Sequence, residues 1–273
     1  MTARERWFLP NREAVPTAED ALQLFCLPHA GAGASAYRDW APLLAPSVKV
    51  VGVQPPGREN RFADPYTPSA TLLSHELAEA VAERAQGAFA LFGHSMGALL
   101  AYETAHRLAA LGRAPACLFV SGYWAPQLPH RRRQVHLLPE DELIRQLRDL
   151  EGTVPEVLDH PKLLEFLLPL IRADFELCET YRWSSRPLLD VPVVALGGAS
   201  DPGVEVPPLA AWGELTASSF EMRQFQGGHF YLHERTDEVV AFVAGHLRDA
   251  TTYTSEGLIH DSADPGVGSG TRA

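Results

Sequence analysis

The chain has 273 residues, and its 23 Lys and Arg against 34 Asp and Glu give a formal net charge of −11 at pH 7. This length suits one large α/β domain, and the negative charge argues against nucleic acid and anionic membranes as partners. Since no apolar run reaches the roughly 18 residues of a membrane span, and residues 1–16 have no apolar signal region, we expect a cytoplasmic protein.

Strand and helix patterns alternate along most of the chain, which predicts a parallel sheet with helices on both faces. Short apolar runs predict strands at 22–27, 48–53, 88–92, 117–121, 191–196 and 220–225. Helical spacing of apolar residues predicts helices at 35–44, 69–86, from the third strand to about 111, and at 236–247. Beyond residue 249 the composition turns polar, so we assign 1–249 to the folded domain and expect 250–273 to be a disordered tail.

The three cysteines have no paired spacing, and the histidines form no C-x-x-C or H-E-x-x-H pattern. Cys26 and Cys117 lie inside predicted strands and are most simply buried hydrophobic residues of a protein in a reducing compartment. We therefore expect no metal site.

The alternation breaks between residues 125 and 187, where two helical segments and no strand are predicted. The segments are 139–150 and 161–183, and Pro169 should kink or split the second. The second segment has more apolar residues than one helix face holds, so we expect it to line an apolar cavity as a lid over the functional edge of the sheet. A plain additional core helix is the alternative, since periodicity alone does not separate the two.

Gly93-His-Ser-Met-Gly97 joins the third strand to its helix and matches G-x-S-x-G. A serine in this position lies on a strained strand-to-helix turn that requires small neighbours, and its hydroxyl points out above the sheet. We interpret Ser95 as a nucleophile, with an ordinary turn serine as the alternative. The amide of Met96 at the start of the helix would then face an oxyanion formed beside Ser95.

A serine nucleophile needs a base and a group that orients the base. Functional groups of a parallel sheet collect at the carboxyl ends of its strands. His229 follows the last strand in a Gly-rich loop, with His233 as its rival, and we predict His229 as the general base. Asp201 follows the fifth strand at the same edge, whereas Asp190 precedes that strand, so we predict Asp201 as the orienting acid. The Asp residues of the insertion, Asp174 among them, are expected to be solvated charges.

The loop after the first strand, Gly31-Ala-Gly-Ala-Ser-Ala36, formally matches the dinucleotide fingerprint G-x-G-x-x-A. That interpretation requires an acidic residue at the end of the second strand, but Gln54 stands there. We favour the alternative that the small residues let the backbone amide of Ala30 point at the oxyanion together with the Met96 amide. His29 then lies beside the site without a proton-transfer role.

Over residues 20–248 the chain resembles the type II, stand-alone thioesterases of polyketide and nonribosomal peptide synthesis. The motifs that carry this resemblance are Cys26-Leu-Pro-His-Ala-Gly31 with Tyr37 and Trp40, Pro56-Gly-Arg58 with Arg61, Gly93-His-Ser-Met-Gly97, Arg172-Ala-Asp-Phe175 with Tyr181, Gly198 with Asp201, and Gly227-Gly-His-Phe230. The family loop usually reads A-G-G-S where this chain has Ala30-Gly-Ala-Gly33. The resemblance implies an α/β-hydrolase fold, with a mostly parallel central sheet, flanking helices and a helical lid.

The resemblance also implies a function, namely hydrolysis of aberrant or stalled acyl groups from the phosphopantetheine arm of acyl or peptidyl carrier proteins. No metal or soluble cofactor is implied, and His29 and Phe230 would lie close to the substrate. We expect the enzyme to act as a monomer.

A dense basic run stands at the start of the lid and consists of Arg131, Arg132 and Arg133. Carrier proteins are acidic, as this chain is, so attraction between the net charges cannot guide their docking. We therefore predict these three arginines as the docking patch for the carrier protein. A solvated charged face is the alternative for the run.

Three other functions fit parts of the pattern. A carboxylesterase or lipase would use the same residues on free esters, since fold and machinery do not fix the substrate. A chain-terminating macrocyclase is normally the fused end of a synthase, which a stand-alone chain of this length argues against. A non-catalytic binding protein would have no need of Ser95, Asp201 and His229 together.

Overall fold

The computed structural model describes residues 4–9, 15–129, 134–149 and 161–260. Within these ranges one six-stranded sheet has the order β2-β1-β3-β4-β5-β6, and every neighbouring pair of strands is parallel. The strands are β1 Leu22–Leu27, β2 Val48–Gly52, β3 Phe89–His94, β4 Cys117–Ser121, β5 Val193–Gly198 and β6 Phe220–Phe225. The predicted α/β fold is confirmed, and each predicted strand is present with small differences at its ends.

Helices cover both faces of the sheet because its inner strands are apolar on both sides. Along β1, Phe25 and Leu27 face one core, and Leu24 and Cys26 face the other. The helices are α1 Trp40–Leu44, α2 Ala70–Arg84, α3 Met96–Ala110, α4 Glu140–Asp149, α5 Pro161–Thr180, α6 Val206–Ala210, α7 Tyr231–Glu234 and α8 Thr236–His260. Helices α2 and α3 pack in the first core, and α1 and α8 pack in the second. Within the described ranges, no helix has both the length and the apolar character needed to cross a membrane.

Two predicted helices differ from the structure at their ends. The predicted helix 35–44 is divided into a 3-10 turn, Ala34–Tyr37, and the short helix α1. Pro42 explains the division, because proline is tolerated in the first turn of an α-helix but not farther inside. Helix α8 continues to His260, beyond the predicted end of the folded domain. Each added residue of a helix gains a backbone hydrogen bond, so the loss of apolar residues does not fix where a helix stops; residues 261–273 of the predicted tail lie outside the described residues.

The insertion after β4 forms a small core of its own. This core consists of Val135, Leu143, Leu147, Leu164, Leu168 and Ile171. Of the two outcomes predicted for Pro169, a split is wrong, because helix α5 is continuous through this proline; a kink stays a prediction. A proline inside a helix costs about 3 kcal/mol, and apolar packing on both sides of Pro169 offsets that cost. The described residues between 125 and 187 contain no strand, as expected.

The turn between β3 and α3 is packed so closely that it leaves no space for two side chains. A Cβ on Gly97 would lie 2.2 Å from the carbonyl oxygen of Leu27 in β1. A Cβ on Gly93 would lie 2.0 Å from the carbonyl oxygen of Gly97. Since both obstructing atoms belong to the backbone, glycine at these positions lets α3 start directly against the edge of the sheet.

We expect Gly97→Ala to lower the free energy of unfolding by about 3 kcal/mol, the upper range for overpacking, because backbone cannot move aside as a side chain can. Gly245→Ala in α8 is the control, since a Cβ there has no neighbour within 4 Å. That alanine should stabilise the helix by up to about 1 kcal/mol. Urea unfolding followed by circular dichroism measures both variants. Equal stability of Gly97→Ala and the wild type would contradict the close contact.

Candidate active site

Ser95 has a backbone conformation that few non-glycine residues adopt, with φ 54° and ψ −121°. Its amide donates a 2.7 Å hydrogen bond to the carbonyl oxygen of Ser121, and its carbonyl accepts a 2.9 Å bond from the amide of Ala98. A serine in this conformation is strained, and the strain persists only where the surrounding structure holds it. The strand-to-helix turn expected from G-x-S-x-G is therefore present, with Ser95 at its tip.

A cavity of about 740 Å³ lies between the carboxyl edge of the sheet and helix α5. The residues singled out by the sequence that line it are His29, Ala30, Ser95, Met96, His229 and Phe230. Its other walls include aromatic and apolar side chains from the segment after β4 and from the lid, among them Tyr123, Trp124, Leu128, Leu147, Phe175 and Trp183. The lid helix thus lines a partly apolar cavity in addition to its own core.

Asp201 and His229 come from the loops after β5 and β6, and close backbone contact brings these loops together. A Cβ on Gly198 would lie 2.1 Å from the carbonyl oxygen of Gly228, so only glycine permits this approach. The His229 Nδ1 and Asp201 Oδ2 atoms are 2.7 Å apart. The Oδ1 atom of the buried Asp201 carboxylate accepts a 2.8 Å hydrogen bond from the amide of Gly203. Both oxygens of Asp201 are thus engaged, and His229 keeps Nε2 for a reacting group.

The rival residues occupy other positions. The ring of His233 stacks on Phe230, with 5.9 Å between ring centroids, and His229 rather than His233 lines the cavity. Asp190 is exposed and lies before β5, at the opposite edge of the sheet from Asp201. The structure therefore brings together Ser95, His229 and Asp201, the three residues chosen by their place after strands.

The two residues predicted to supply oxyanion-binding amides, Ala30 and Met96, line the cavity together with Ser95. Ala30 lies in the loop after β1, and Met96 is the first residue of α3. No hydrogen-bond partner for either amide is found within the described parts of the chain. Since an amide at the start of a helix has no partner inside the helix, the Met96 amide is free to bind an anion.

Two imidazole rings, those of His94 and His29, lie close to His229 and Phe230. The His94 ring centroid is 5.0 Å from that of His229, and the His29 centroid is 4.9 Å from Phe230. Burial, together with the neighbouring His233 and His229, lowers the pKa of His29 to about 3. Burial also holds the pKa of His94 well below its usual range. Sequence reasoning gave His94 no role, although its place directly before the serine of the G-x-S-x-G motif marks it as a neighbour of the site.

The His94 ring is also fixed by a buried chain of hydrogen bonds. Its Nδ1 atom is 2.9 Å from the hydroxyl of Ser121, and that hydroxyl is 2.6 Å from the hydroxyl of Tyr231. The chain joins the end of β4 to α7 beneath the cavity. The bond at Nδ1 therefore orients the neutral His94 ring beside the ring of His229.

The expectation that Asp174 is a solvated charge is wrong. Its side chain is 4 % exposed, and the Arg58 guanidinium binds both carboxylate oxygens at 2.8 and 2.9 Å. The amide of Gly31 donates a 2.7 Å hydrogen bond to the same carboxylate. The sequence signal available for this contact was the Arg58 and Asp174 positions in the family motifs, because their separation along the chain excludes any local pattern.

The predicted docking patch cannot be compared with the structure. The three arginines of the candidate docking patch, Arg131, Arg132 and Arg133, lie outside the described residues. Across the described ranges, no group of three or more His, Cys, Asp or Glu side chains is arranged to hold a metal ion.

Comparison with known proteins identifies the family. A model described as the thioesterase domain matches residues 22–247. The chain belongs to the thioesterase family. It is 38 % identical over 247 residues to "linear gramicidin dehydrogenase LgrE" of Brevibacillus parabrevis, covering 89 % of this chain and 93 % of LgrE.

Two solved structures place this thioesterase with the type II enzymes. The type II thioesterase BorB from the borrelidin biosynthetic cluster is 40 % identical, with a TM-score of 0.82 over 90 % of this chain and 100 % of BorB. YbtT, a type II thioesterase from the yersiniabactin NRPS/PKS biosynthetic pathway, is 30 % identical, with a TM-score of 0.80 over 89 % of this chain and 99 % of YbtT.

The name of LgrE denotes a dehydrogenase, but the geometry of this thioesterase gives no support to dinucleotide binding. The Gln54 side chain accepts a 2.7 Å hydrogen bond from the amide of Ala34 and donates a 2.8 Å bond to the carbonyl of Arg58. The residue at the end of β2 thus braces the loop. The loop leads into the 3-10 turn Ala34–Tyr37 and not into the long helix whose N-terminus would bind a pyrophosphate.

We expect His94→Asn to flatten the pH dependence of stability. The folded chain keeps His94 neutral, so unfolding takes up a proton below the unfolded pKa of about 6.5, and stability falls as the pH is lowered. Without that histidine, the slope of the unfolding free energy against pH should decrease by about 1.4 kcal/mol per pH unit between pH 5 and 6.

Urea unfolding at several pH values measures this slope. His75→Asn is the control, since His75 is exposed on α2 and is hydrated in both the folded and the unfolded chain. A slope that is identical in the wild type and His94→Asn would show that His94 is charged in the folded protein.

Proposed function

We propose that this thioesterase hydrolyses acyl groups from the phosphopantetheine arm of acyl or peptidyl carrier proteins, through an acyl-enzyme on Ser95. One observation carries the proposal: Ser95 and an Asp201-bound His229 line one cavity together with two unpartnered amides. The substrate class is supported by the similarity to type II thioesterases, among them YbtT from an NRPS/PKS pathway. The editing role of clearing stalled or aberrant acyl chains follows from that substrate class.

In the first half of the proposed reaction, His229 Nε2 takes the proton of the Ser95 hydroxyl as the oxygen attacks the thioester carbon. The carbonyl oxygen becomes an oxyanion, which accepts hydrogen bonds from the amides of Ala30 and Met96. Asp201 holds the imidazole in the correct tautomer and stabilises its positive charge. When the carbon–sulfur bond breaks, His229 gives its proton to the leaving thiol of the arm.

In the second half, water attacks the Ser95 ester. His229 takes a proton from the water, a second oxyanion forms at the same two amides, and the proton returns to Ser95 as the acid leaves. The chemistry as proposed requires no metal and no soluble cofactor. The apolar walls of the cavity, including Trp124, Phe175 and Trp183, would hold the acyl chain.

The oligomeric state, the compartment and the docking patch are also part of this proposal. We propose an enzyme that acts as a monomer in the cytoplasm, and the buried thiols of Cys26 and Cys117 fit a reducing compartment. We retain the basic run at residues 131–133, with Arg132 at its centre, as the docking patch for the carrier protein.

The substrate proposal is tested with one short acyl group presented in three forms, on a holo carrier protein, on N-acetylcysteamine and as its p-nitrophenyl ester. We expect the highest kcat/KM for the carrier-bound form, because the arm and the carrier surface add contacts that free esters lack. Ser95→Ala should lower the rate on all three substrates by about 10⁴ or more. A higher kcat/KM for the p-nitrophenyl ester would make the protein a general carboxylesterase, and full activity of Ser95→Ala would overturn the acyl-enzyme.

The orienting role of Asp201 gives a second prediction. Asp201→Asn should lower kcat by about 10⁴ with little change in KM, since asparagine stabilises the wrong tautomer of His229. Asp190→Asn is the matched control, because Asp190 is exposed at the opposite edge of the sheet. Steady-state hydrolysis of the N-acetylcysteamine thioester measures both variants. An Asp201→Asn rate within tenfold of the wild type would contradict the role of the carboxylate.

A further inference from the structure

Helix α5 of the lid reaches across the cavity rim to the loop that carries Ala30. The contact is made by Asp174, whose carboxylate accepts a 2.7 Å hydrogen bond from the amide of Gly31. The next turn of the helix toward its N-terminus adds apolar contact, because Ile171 lies 3.0 Å from the position that a Cβ on Gly31 would take. The lid therefore touches the backbone one residue away from the proposed oxyanion-hole amide of Ala30.

Arg58 fixes the other side of the same loop. Its guanidinium binds both oxygens of Asp174 and also donates a 3.0 Å hydrogen bond to the carbonyl of Ala32. A further bond of 3.2 Å joins Arg58 Nε to the carbonyl of Pro56, which anchors the arginine in the segment after β2. Arg58 and Asp174 are both about 94–96 % buried, so these bonds form away from competing water. One ion pair thus holds the amide of Gly31 and the carbonyl of Ala32 in the loop of residues 30–33, which we call the oxyanion loop.

The loop needs such anchors because its own residues do not stiffen it. The sequence Ala30-Gly-Ala-Gly33 has only methyl groups or hydrogen as side chains, and Gly31 takes the left-handed conformation with φ 79°. A turn bond of 3.1 Å from the amide of Ala32 to the carbonyl of His29 closes the loop locally. The His29 carbonyl shares its peptide plane with the Ala30 amide, so this bond holds one edge of the turn, while the next plane, between Ala30 and Gly31, takes no part in it. The hydrogen bond from the Gly31 amide to Asp174 fixes that second plane, and the two planes that meet at Ala30 are then both held.

We propose that Asp174, held by Arg58, is a positioning residue that aims the Ala30 amide at the oxyanion. Seating of helix α5 on the core and completion of the oxyanion hole are then a single event. An enzyme with its lid displaced would keep Ser95, His229 and Asp201 but lose one of the two donors that stabilise the transition state. This inference rests on the proposed acyl-enzyme mechanism and on the role given there to Ala30.

The test compares Asp174→Asn, Asp174→Ala and Arg58→Lys with the wild type on the N-acetylcysteamine thioester. We expect kcat to fall about ten- to a hundredfold while KM stays within twofold, because a misplacement of about 1 Å costs up to about a hundredfold and the complete loss of a donor costs more. Asp174→Asn should lose less than Asp174→Ala, because an amide oxygen still accepts from Gly31 but forms no ion pair with Arg58. Phe166→Ala is the matched control on the same helix, since its half-exposed ring stacks on Phe62 at 4.6 Å and lies outside the cavity lining.

Inhibitor affinity separates positioning from a merely structural role. A trifluoromethyl ketone analogue forms an adduct with the serine whose oxygen occupies the oxyanion position, so its Ki should rise in proportion to the loss of kcat/KM in each variant. A thioether analogue without a carbonyl should bind all variants equally. Unchanged Ki values for the trifluoromethyl ketone, or an equal loss of kcat in Phe166→Ala, would overturn the positioning role.

Two further measurements keep the result interpretable. Circular dichroism and urea unfolding show whether each variant is folded, and Asp174→Asn and Arg58→Lys decide the question if Asp174→Ala does not fold. Ser95→Ala separates this inference from the proposed function. Full activity of Ser95→Ala would overturn the acyl-enzyme, whereas an inactive Ser95→Ala beside a fully active Asp174→Asn would overturn only the role of Asp174.

Discussion

The parallel direction of the strands determines where all the chemistry of this thioesterase lies. Every strand of the described sheet ends at the same edge, so the segments that follow β1, β2, β3, β5 and β6 meet there. These segments supply Ala30, Arg58, Ser95, Asp201 and His229, in that order. The distances between strands impose a further condition. With about 4.8 Å per step, β6 begins its loop about 14 Å from β3, and His229 must return over β5 and β4 to come close to Ser95.

Backbone contacts without side chains make that return possible. The loops after β5 and β6 touch at Gly198 and Gly228, and a Cβ on Gly122 after β4 would lie only 3.4 Å from the His229 ring. On the other side of the site, Gly93 and Gly97 bring α3 against the sheet edge. Glycines stand where the loops cross, and the space left by their missing side chains is available to the functional side chains of the site.

The sequence predicted this arrangement as far as local rules extend. Six strands, the strained turn at Ser95 and the placement of Asp201 and His229 all follow from residues that are neighbours in the chain or that follow a strand. The role of Asp174 does not, because its partner Gly31 is 143 positions away in the sequence and nothing local distinguishes a buried acid on an amphipathic helix from a solvated one. Pro169 does not split its helix for a similar reason, since the cost of the proline is local and the packing that offsets this cost is not. The triad roles of Ser95, Asp201 and His229 stay predictions until their variants are measured.

The Arg58–Asp174 ion pair fixes the orientation of the lid on the core but adds little to the free energy of folding. Removing two charges from water costs several kcal/mol for each ion, and a buried pair usually recovers little more than that cost. Deleting one partner, however, leaves an uncompensated buried charge and costs about 3–5 kcal/mol. The ion pair therefore favours one arrangement of helix α5 against the oxyanion loop and destabilises others. The glycine and alanine residues of the loop do not fix such an arrangement by themselves.

The neutral histidines favour the same reaction because they carry no charge. His229 becomes an imidazolium in each half of the proposed mechanism, and the His94 ring centroid is 5.0 Å from it. A positive charge on His94 would oppose that protonation by about 3 kcal/mol at an effective dielectric constant of about 20. Burial holds the pKa of His94 well below its usual range and that of His29 at about 3, so neither ring carries a charge near neutral pH. The imidazolium that forms at His229 during the reaction then has the Asp201 carboxylate at 2.7 Å and no positive imidazole beside it.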